Sequence, residues 1–344
     1  MMVKASRKEV AKLAGVSEAT VSRVFNNILP LREETKQKVL EAARVLEYYP
    51  NALAQSFARG KSGNIGVIVP YMPKVRMFST HYFSEILSGI GKKLADEQYG
   101  LLLLFVNPTE RAEYEELFRT QKIDGCIILG SQDVEDEREA IRRLHKSQVP
   151  YCIMNQHFEG EPFHVIDAGH EQGSYDAVSY LIQTGHRKIA FLNGQMTYSN
   201  SADRLKGYIR ALKEHQIEIR DEWLFTGNYS RTSGLTEAEK IRPYMHELDA
   251  IFVANDRMAI GLMQGLSEQG IFAGKDYSLI GYDDSDLASF VYPQLSSVHV
   301  PLFEMGDRAA EMVLQMMLEG QQSEIYKEEL QVSLKVRKSI IERG

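Results

Sequence analysis

Apolar residues follow two rhythms along this chain, and the change between them falls near residue 60. Before it, they recur at helical spacing. Val10, Leu13 and Ala14 share one face of a helix predicted over 7–14, and Val21 and Val24 one face of a second over 18–26. Gly15 stands where a helix end favours positive φ, and Ser17 is a suitable N-cap for the second helix. The small Ala11 lets the two approach closely, and a third helix over 33–48 offers Val39, Ala43 and Leu46 to complete a small core. Arg32 occupies the position where a capping residue for that third helix is expected. Helix, tight turn, helix at this spacing predicts a helix-turn-helix, whose second helix enters the DNA major groove.

From Asn64 the pattern becomes short apolar runs separated by amphipathic segments. Strands are predicted at 65–69, 101–105, 125–129 and 151–154, with helices near 83–98, 110–120 and 135–147. The alternation restarts with a helix near 170–184. Strands at 189–192, 223–227, 251–254 and 279–281 then alternate with helices near 202–215, 234–245 and 257–269. Strand–helix alternation with continuous apolar strands predicts parallel sheets covered by helices. Two series predict two similar lobes, with a ligand at the strand carboxyl ends where they face each other.

Composition narrows the class. The 344 residues are 44% hydrophobic and 25% charged, as in soluble globular proteins. No run of 18 uncharged apolar residues occurs, and Met1–Lys8 leads straight into charge without the apolar core of a secretory signal. Cys126 and Cys152 sit inside apolar runs, where a free thiol behaves as a small hydrophobe. A cytoplasmic protein with no membrane partner is expected. The net charge of −7 hides an asymmetry: residues 1–60 carry +4 and the remainder −11. A basic head on an acidic body restores nucleic acid as a partner.

Enzyme signatures are missing. Gly60, Lys61 and Ser62 look like the end of a phosphate-binding loop, but Gln55 replaces the required glycine and the strand follows instead of preceding. Asp283 to Asp286 lack the glycine and terminal glutamate of a calcium loop, and the nine histidines show no paired metal spacing. Neither catalysis nor a metal or cofactor is expected.

The runs Gly15–Val24 and Tyr49–Arg59 resemble the lactose-repressor (LacI/GalR) family of bacterial regulators. The resemblance extends through Gly185–Phe191, Arg204–Tyr208, Val253–Ala259 and Ile280–Asp284, and so over nearly the whole chain. It implies a helix-turn-helix head (1–49), a hinge helix and linker (50–61), and a two-lobed, periplasmic-binding-protein-like α/β domain (62–344). The chain crosses between lobes near 160–166, 289–296 and 322–328. This makes lobe 1 about 62–163 and 292–325, and lobe 2 about 164–291 and 326–344.

On the head, Arg23 can reach guanine O6 and N7 through two donors. Glu18 and Ala19 match the family's base-reading positions, although Glu18 in a first helical turn also suits the helix dipole. Ser6, Thr20, Ser22 and Asn26 match positions that hold phosphates. Asn51 and Phe57 belong to the hinge; Phe57 stands where the family usually wedges Leu into the minor groove, or packs against its partner hinge.

In the body, Arg204, Asn255 and Asp283 flank strand ends, and together they offer the donors and acceptors that adjacent sugar hydroxyls need. The family's matching positions contact ligand. Asn155 stands where Asp is frequent, and Tyr71, Phe83 and Tyr229 offer flat walls. Structural alternatives are a helix cap for Asp283, an ion pair for Arg204 and core packing for the aromatics.

The implied function is a homodimeric repressor of a carbohydrate-utilisation operon that reads a near-palindromic operator. A sugar or sugar phosphate between the lobes would control it, purines or nucleosides coming second and a protein co-regulator third. The rival class, a transport-type sugar-binding protein, would share the body but needs an export signal and no head.

Overall fold

The computed structural model describes residues 5–26, 28–49, 60–71, 80–107, 112–320 and 324–343. They form two compact units: Met1–Asn64 with Leu117–Asp124, and Ile65–Glu116 with Gly125–Gly344.

In the first unit three helices, α1 (Arg7–Ala14), α2 (Glu18–Phe25) and α3 (Glu33–Val45), enclose Val10, Ala11, Val21, Val24, Val39, Ala42 and Ala43. α1 opens with a capping box between Ser6 and Glu9 and closes on Gly15 at φ 67°. Ser17 caps α2 by accepting from Thr20 N, whereas Arg32 gives α3 no side-chain cap. Val10 is buried and Ala14 packs against the core as expected, but Leu13 is 54% exposed and Ala11 faces inward instead. α2 and α3 also end earlier than their apolar spacing suggested, with Asn26 and Leu46 as C-caps.

The second unit holds two six-stranded sheets of the same order. In the first, β1 (Asn64–Pro70), β2 (Gly100–Val106), β3 (Gly125–Leu129), β4 (Tyr151–Met154), β5 (Val165–Ala168) and β11 (Lys327–Leu330) lie in the order 11-5-4-3-1-2. In the second, β6 (Ile189–Asn193), β7 (Leu224–Thr226), β8 (Ala250–Val253), β9 (Ser278–Asp283), β10 (Ser296–His299) and β12 (Ser333–Lys335) lie in the order 12-10-9-8-6-7. β11 adds parallel to β5, whereas β12 adds antiparallel to β10. Residues of β3, β4, β6 and β8 are buried throughout, as parallel strands covered on both faces must be.

In chain order the remaining helices are α4 (His81–Asp96), α5 (Tyr114–Arg119), α6 (Glu135–Lys146), α7 (His170–Gln183), α8 (Ser199–Glu214), α9 (Arg231–Ile241), α10 (Asp256–Ser267), α11 (Asp286–Phe290) and α12 (Leu302–Glu319). Helix pairs in both lobes pack backbone to backbone through glycine. A Cβ on Gly306 of α12 would lie 2.3 Å from the Ile86 carbonyl oxygen of α4, and one on Gly207 of α8 would lie 2.1 Å from that of Glu171 in α7.

All three lobe crossings fall later than expected. β5 belongs to the first sheet, so the first crossing follows Ala168 and does not lie at 160–166. β10 belongs to the second sheet and α12 packs on the first, which moves the second crossing from 289–296 to 299–302. The third runs from β11 to β12, at 330–333 instead of 322–328. β5 and β10 are short and carry polar residues at buried positions, Asp167, Ser296 and Ser297 among them, and β11 and β12 are short and mostly exposed, so no apolar run announced any of the four.

Candidate functional site

On the head, Val21 and Val24 fix which side of α2 faces inward. Glu18, Ala19 and Arg23 are exposed and Ser22 and Asn26 half-buried, at spacings that place them together away from that core. Their side chains already have local partners. Glu18 lies 3.5 Å from Arg7, the Thr20 hydroxyl 2.9 Å from Ser17 Oγ, and Arg23 Nη2 donates to the Pro30 carbonyl at 3.2 Å. Asn26 Nδ2 donates to Ser22 Oγ, leaving its buried Oδ1 without a partner. The Ser6 backbone N–H and then its hydroxyl donate to the Glu9 carboxylate, which lowers the Glu9 pKa, and the hydroxyl accepts from Glu9 N. The face is thus polar and prearranged. Asn51 and Phe57 lie outside the described residues.

In the second unit a cavity of about 1060 Å³ opens between the two sheets. It brings together all seven residues singled out from sequence: Tyr71, Phe83, Asn155, Arg204, Tyr229, Asn255 and Asp283. Their environments differ. Asn255 Oδ1 caps α10 through Met258 N and its Nδ2 donates to the Tyr229 carbonyl, so this amide largely shapes the wall. Asn155, at φ 56°, holds its Oδ1 2.7 Å from His170 Nε2. Phe83 is 8% exposed and belongs to the core while lining the cavity; Tyr71 is 55% exposed. The Tyr229 hydroxyl bonds to Ser201 Oγ and donates to Asn200 Oδ1.

Two structural alternatives fall away. The cap of α11 is Ser285, not Asp283, which stands at φ 96° with no hydrogen bond to its carboxyl. Arg204 forms no ion pair among the described residues. Its guanidinium lies 4.1 Å over the Tyr282 ring, with the Tyr229 hydroxyl and the neutral His170 ring each 3.4 Å away. Burial pushes the Asp283 carboxyl up to about 8, although Arg204 and Arg257 pull the other way.

Sequence reasoning missed Asp256, Arg257, Tyr82, Gln132 and Tyr198 on the same walls. Asp256 and Arg257 directly follow Asn255, in the first turn of the helix after a strand, and that position was the available signal. Beside the cavity the lobes are bonded to each other. Ser199 N donates to Gln156 Oε1, His157 N to Ser199 Oγ and Gln132 Nε2 to the Tyr198 hydroxyl. Asp203 of the second lobe also lies 3.6 Å from His157 of the first, whose pKa is raised chiefly by its hydrogen bond to Asp167.

Residues 7–51 match the bacterial regulatory proteins of the lacI family, and residues 178–340 a periplasmic binding protein-like domain. The HTH-type transcriptional repressor PurR of Vibrio vulnificus (strain CMCP6) is 32% identical over 90% of this chain and 91% of its own length. The Probable HTH-type transcriptional repressor ExuR of Bacillus subtilis (strain 168) is 31% identical over 91% of each. Two solved structures are also similar. The lac repressor dimer bound to operator and the anti-inducer ONPF matches at 28% identity and a TM-score of 0.84, over 98% of this chain and 99% of that one. The complex of the regulator CelR with cellobiose matches at 26% and 0.74, over 97% and 99%.

Proposed function

The chain belongs to the lacI family of bacterial regulatory proteins, which makes it a DNA-binding transcription regulator and not an enzyme, and we propose that it represses a carbohydrate-utilisation operon under control of a sugar or sugar phosphate. The supporting observation is the cavity, where a guanidinium, two amides and a carboxyl meet aromatic rings within about 1060 Å³, enough for a sugar and its hydration. Adjacent hydroxyls need donors and acceptors together, and Arg204, Asn155 and Asp283 supply them.

In this reading two copies pair so that both α2 helices enter successive major grooves of a near-palindrome. Arg23, Glu18 and Ala19 meet base edges, while Ser6, Thr20, Ser22 and Asn26 hold phosphates. Asn51 and Phe57 act in the minor groove between them. Effector bound between the lobes changes their angle and releases the DNA, by no more than its differential affinity for the two arrangements.

Selection of genomic fragments by the purified protein at near-physiological salt tests this. One near-palindrome should be enriched, lost on deleting residues 1–60, and released by a member of a sugar and sugar-phosphate panel. Arg23→Ala should cost about 1–3 kcal/mol and relax preference at one operator position; equal weakening on every sequence would make Arg23 a phosphate contact. Release by nucleosides alone would replace the carbohydrate reading.

A further inference from the structure

A guanidinium taken out of water normally finds a counter-charge, because the desolvation cost is otherwise uncompensated. Arg204 has none. It is 3% exposed, its Nε is buried without any partner, and the groups touching its other nitrogens are a tyrosine hydroxyl and an imidazole. That imidazole, His170, is kept neutral by burial, with Arg204 and His157 reinforcing the effect. A second guanidinium on the same cavity, Arg257, sits half-buried in the first turn of α10 and forms neither an ion pair nor a side-chain hydrogen bond among the described residues. Burial weakens its hold on the proton, with Asp283 opposing this and the nearby Arg231 adding to it.

The carboxyls of the cavity do not offset these two cations. Asp256 is occupied by Ser285 N, Ser285 Oγ and Ser297 Oγ at 2.6–2.9 Å. Glu237 pairs with Lys240 at 2.7 Å. The Asp283 carboxyl has no hydrogen bond among the described residues, and pushed up to about 8 by burial it is mostly protonated at neutral pH. The first lobe contributes His81, Tyr82, Phe83, Ser131, Gln132 and Asn155, none of them acidic. The amino end of α10, where Arg257 lies, adds the partial positive charge of its free amides.

We infer that the effector is an acidic sugar, a polyhydroxylated ring bearing one carboxylate or phosphate group, and that Arg204 and Arg257 together hold that anionic group. This rests on the sugar-sensor reading and narrows it. The polar positions that remain, Asn155 and Asp283, serve the hydroxyls.

Calorimetric titration of the full chain with three families at matched ionic strength tests the assignment: glucose, galactose and mannose; their uronates; and their 6-phosphates. At least one uronate or one 6-phosphate should bind tenfold or more tightly than its neutral parent, and the arm that responds identifies the anion. Arg257→Gln should weaken that binding about tenfold or more while changing neutral-sugar binding less than twofold; Arg257→Lys, which keeps the charge but not the fork, should fall between. A cooperative melting transition in each variant checks that it folds. Neutral hexoses binding as tightly as the charged forms, or Arg257→Gln binding the acid like the unaltered chain, would overturn the anion assignment and leave the sugar sensor standing. Failure of every sugar, charged or neutral, would overturn both.

Discussion

The two lobes share one strand order and one style of helix packing, yet their cavity walls differ in charge. The second lobe supplies Arg204, Arg257, Asp256, Asp283 and Glu237; the first supplies amides, hydroxyls, rings and His81. Equal architecture with unequal chemistry indicates a division of labour. On the proposed sugar-sensor reading, the second lobe selects the ligand, while the first meets it across bonds such as Gln132 to Tyr198. The sharpest way to break this contrast is to remove one residue from each side. Arg204→Met should cost about 2–4 kcal/mol of effector affinity, near a hundredfold, because it deletes a buried charged donor. Gln132→Ala should cost about 1 kcal/mol or less, the value of one neutral hydrogen bond. Without effector, Arg204→Met should melt no lower than the unaltered chain, since the charge it removes is uncompensated. A clearly lower melting point would make Arg204 structural.

Likeness of architecture has its own test. Gly306→Ala in the first lobe and Gly207→Ala in the second both press a methyl against a carbonyl oxygen, at 2.3 and 2.1 Å. Backbone cannot retreat as a flexible side chain does, so each should lose about 1–3 kcal/mol in denaturant titration. Gly91→Ala, where a Cβ meets nothing within 4 Å, should be neutral or gain up to about 1 kcal/mol from helix propensity. Unequal costs at Gly306 and Gly207 would show that the lobes are alike in topology only.

Much of this plan was legible in the chain. Strands rich in buried aliphatics, such as Gly125–Leu129 and Tyr151–Met154, declared themselves because both faces are covered. β10 did not. Its Ser296 and Ser297 are buried yet polar, the first accepting from the Arg337 backbone N–H and the second donating to Asp256, so their burial depends on partners distant in sequence. β11 and β12 return to sheets begun long before, and local periodicity carries no trace of which sheet a late strand rejoins. Asn155, Asn255 and Asp283 were legible because strand carboxyl ends converge by topology, whereas Arg204 reaches the cavity from within α8 and Phe83 from within α4. Arg257 escaped because it lies two residues past a strand-end residue already chosen, on the helix that follows.

One buried group in each lobe should make stability depend on pH in opposite directions. Burial, with His145 adding to it, pushes His164 of the first lobe down to about 4. The unfolded chain therefore binds more protons below the ordinary histidine value, and stability falls as pH drops toward 4. Asp283 of the second lobe is pushed up to about 8, so the folded chain holds the extra proton, and stability falls as pH rises from the ordinary aspartate range toward 8. Melting temperature plotted against pH should show both limbs. Asp283→Asn should reduce the alkaline limb, to which Asp256, pushed up to about 7 by burial, also contributes, and His164→Gln should reduce the acid limb, to which the buried His170 and His186 also contribute. An alkaline limb unchanged in Asp283→Asn would mean that Asp283 is ionised in the folded chain.

The smallest expected effect comes from giving the first lobe a charge it lacks. Asn155 occupies the left-handed region at φ 56°, which Asp tolerates nearly as well as Asn, so Asn155→Asp leaves the backbone undisturbed. Its carboxylate would stand 2.7 Å from His170 Nε2, where the amide oxygen now lies, and would face the cavity that holds Arg204 and Arg257. Part of the new charge goes into raising the His170 pKa, and the rest opposes an anionic ligand. The net loss for an acidic sugar should be roughly 1 kcal/mol, about fivefold, as expected for a single charge partly screened by water. A neutral sugar should change less than twofold. Selective weakening of the acid by this change in the first lobe would show that its neutrality serves the choice of ligand; equal behaviour of both sugars would confine selection to the second lobe.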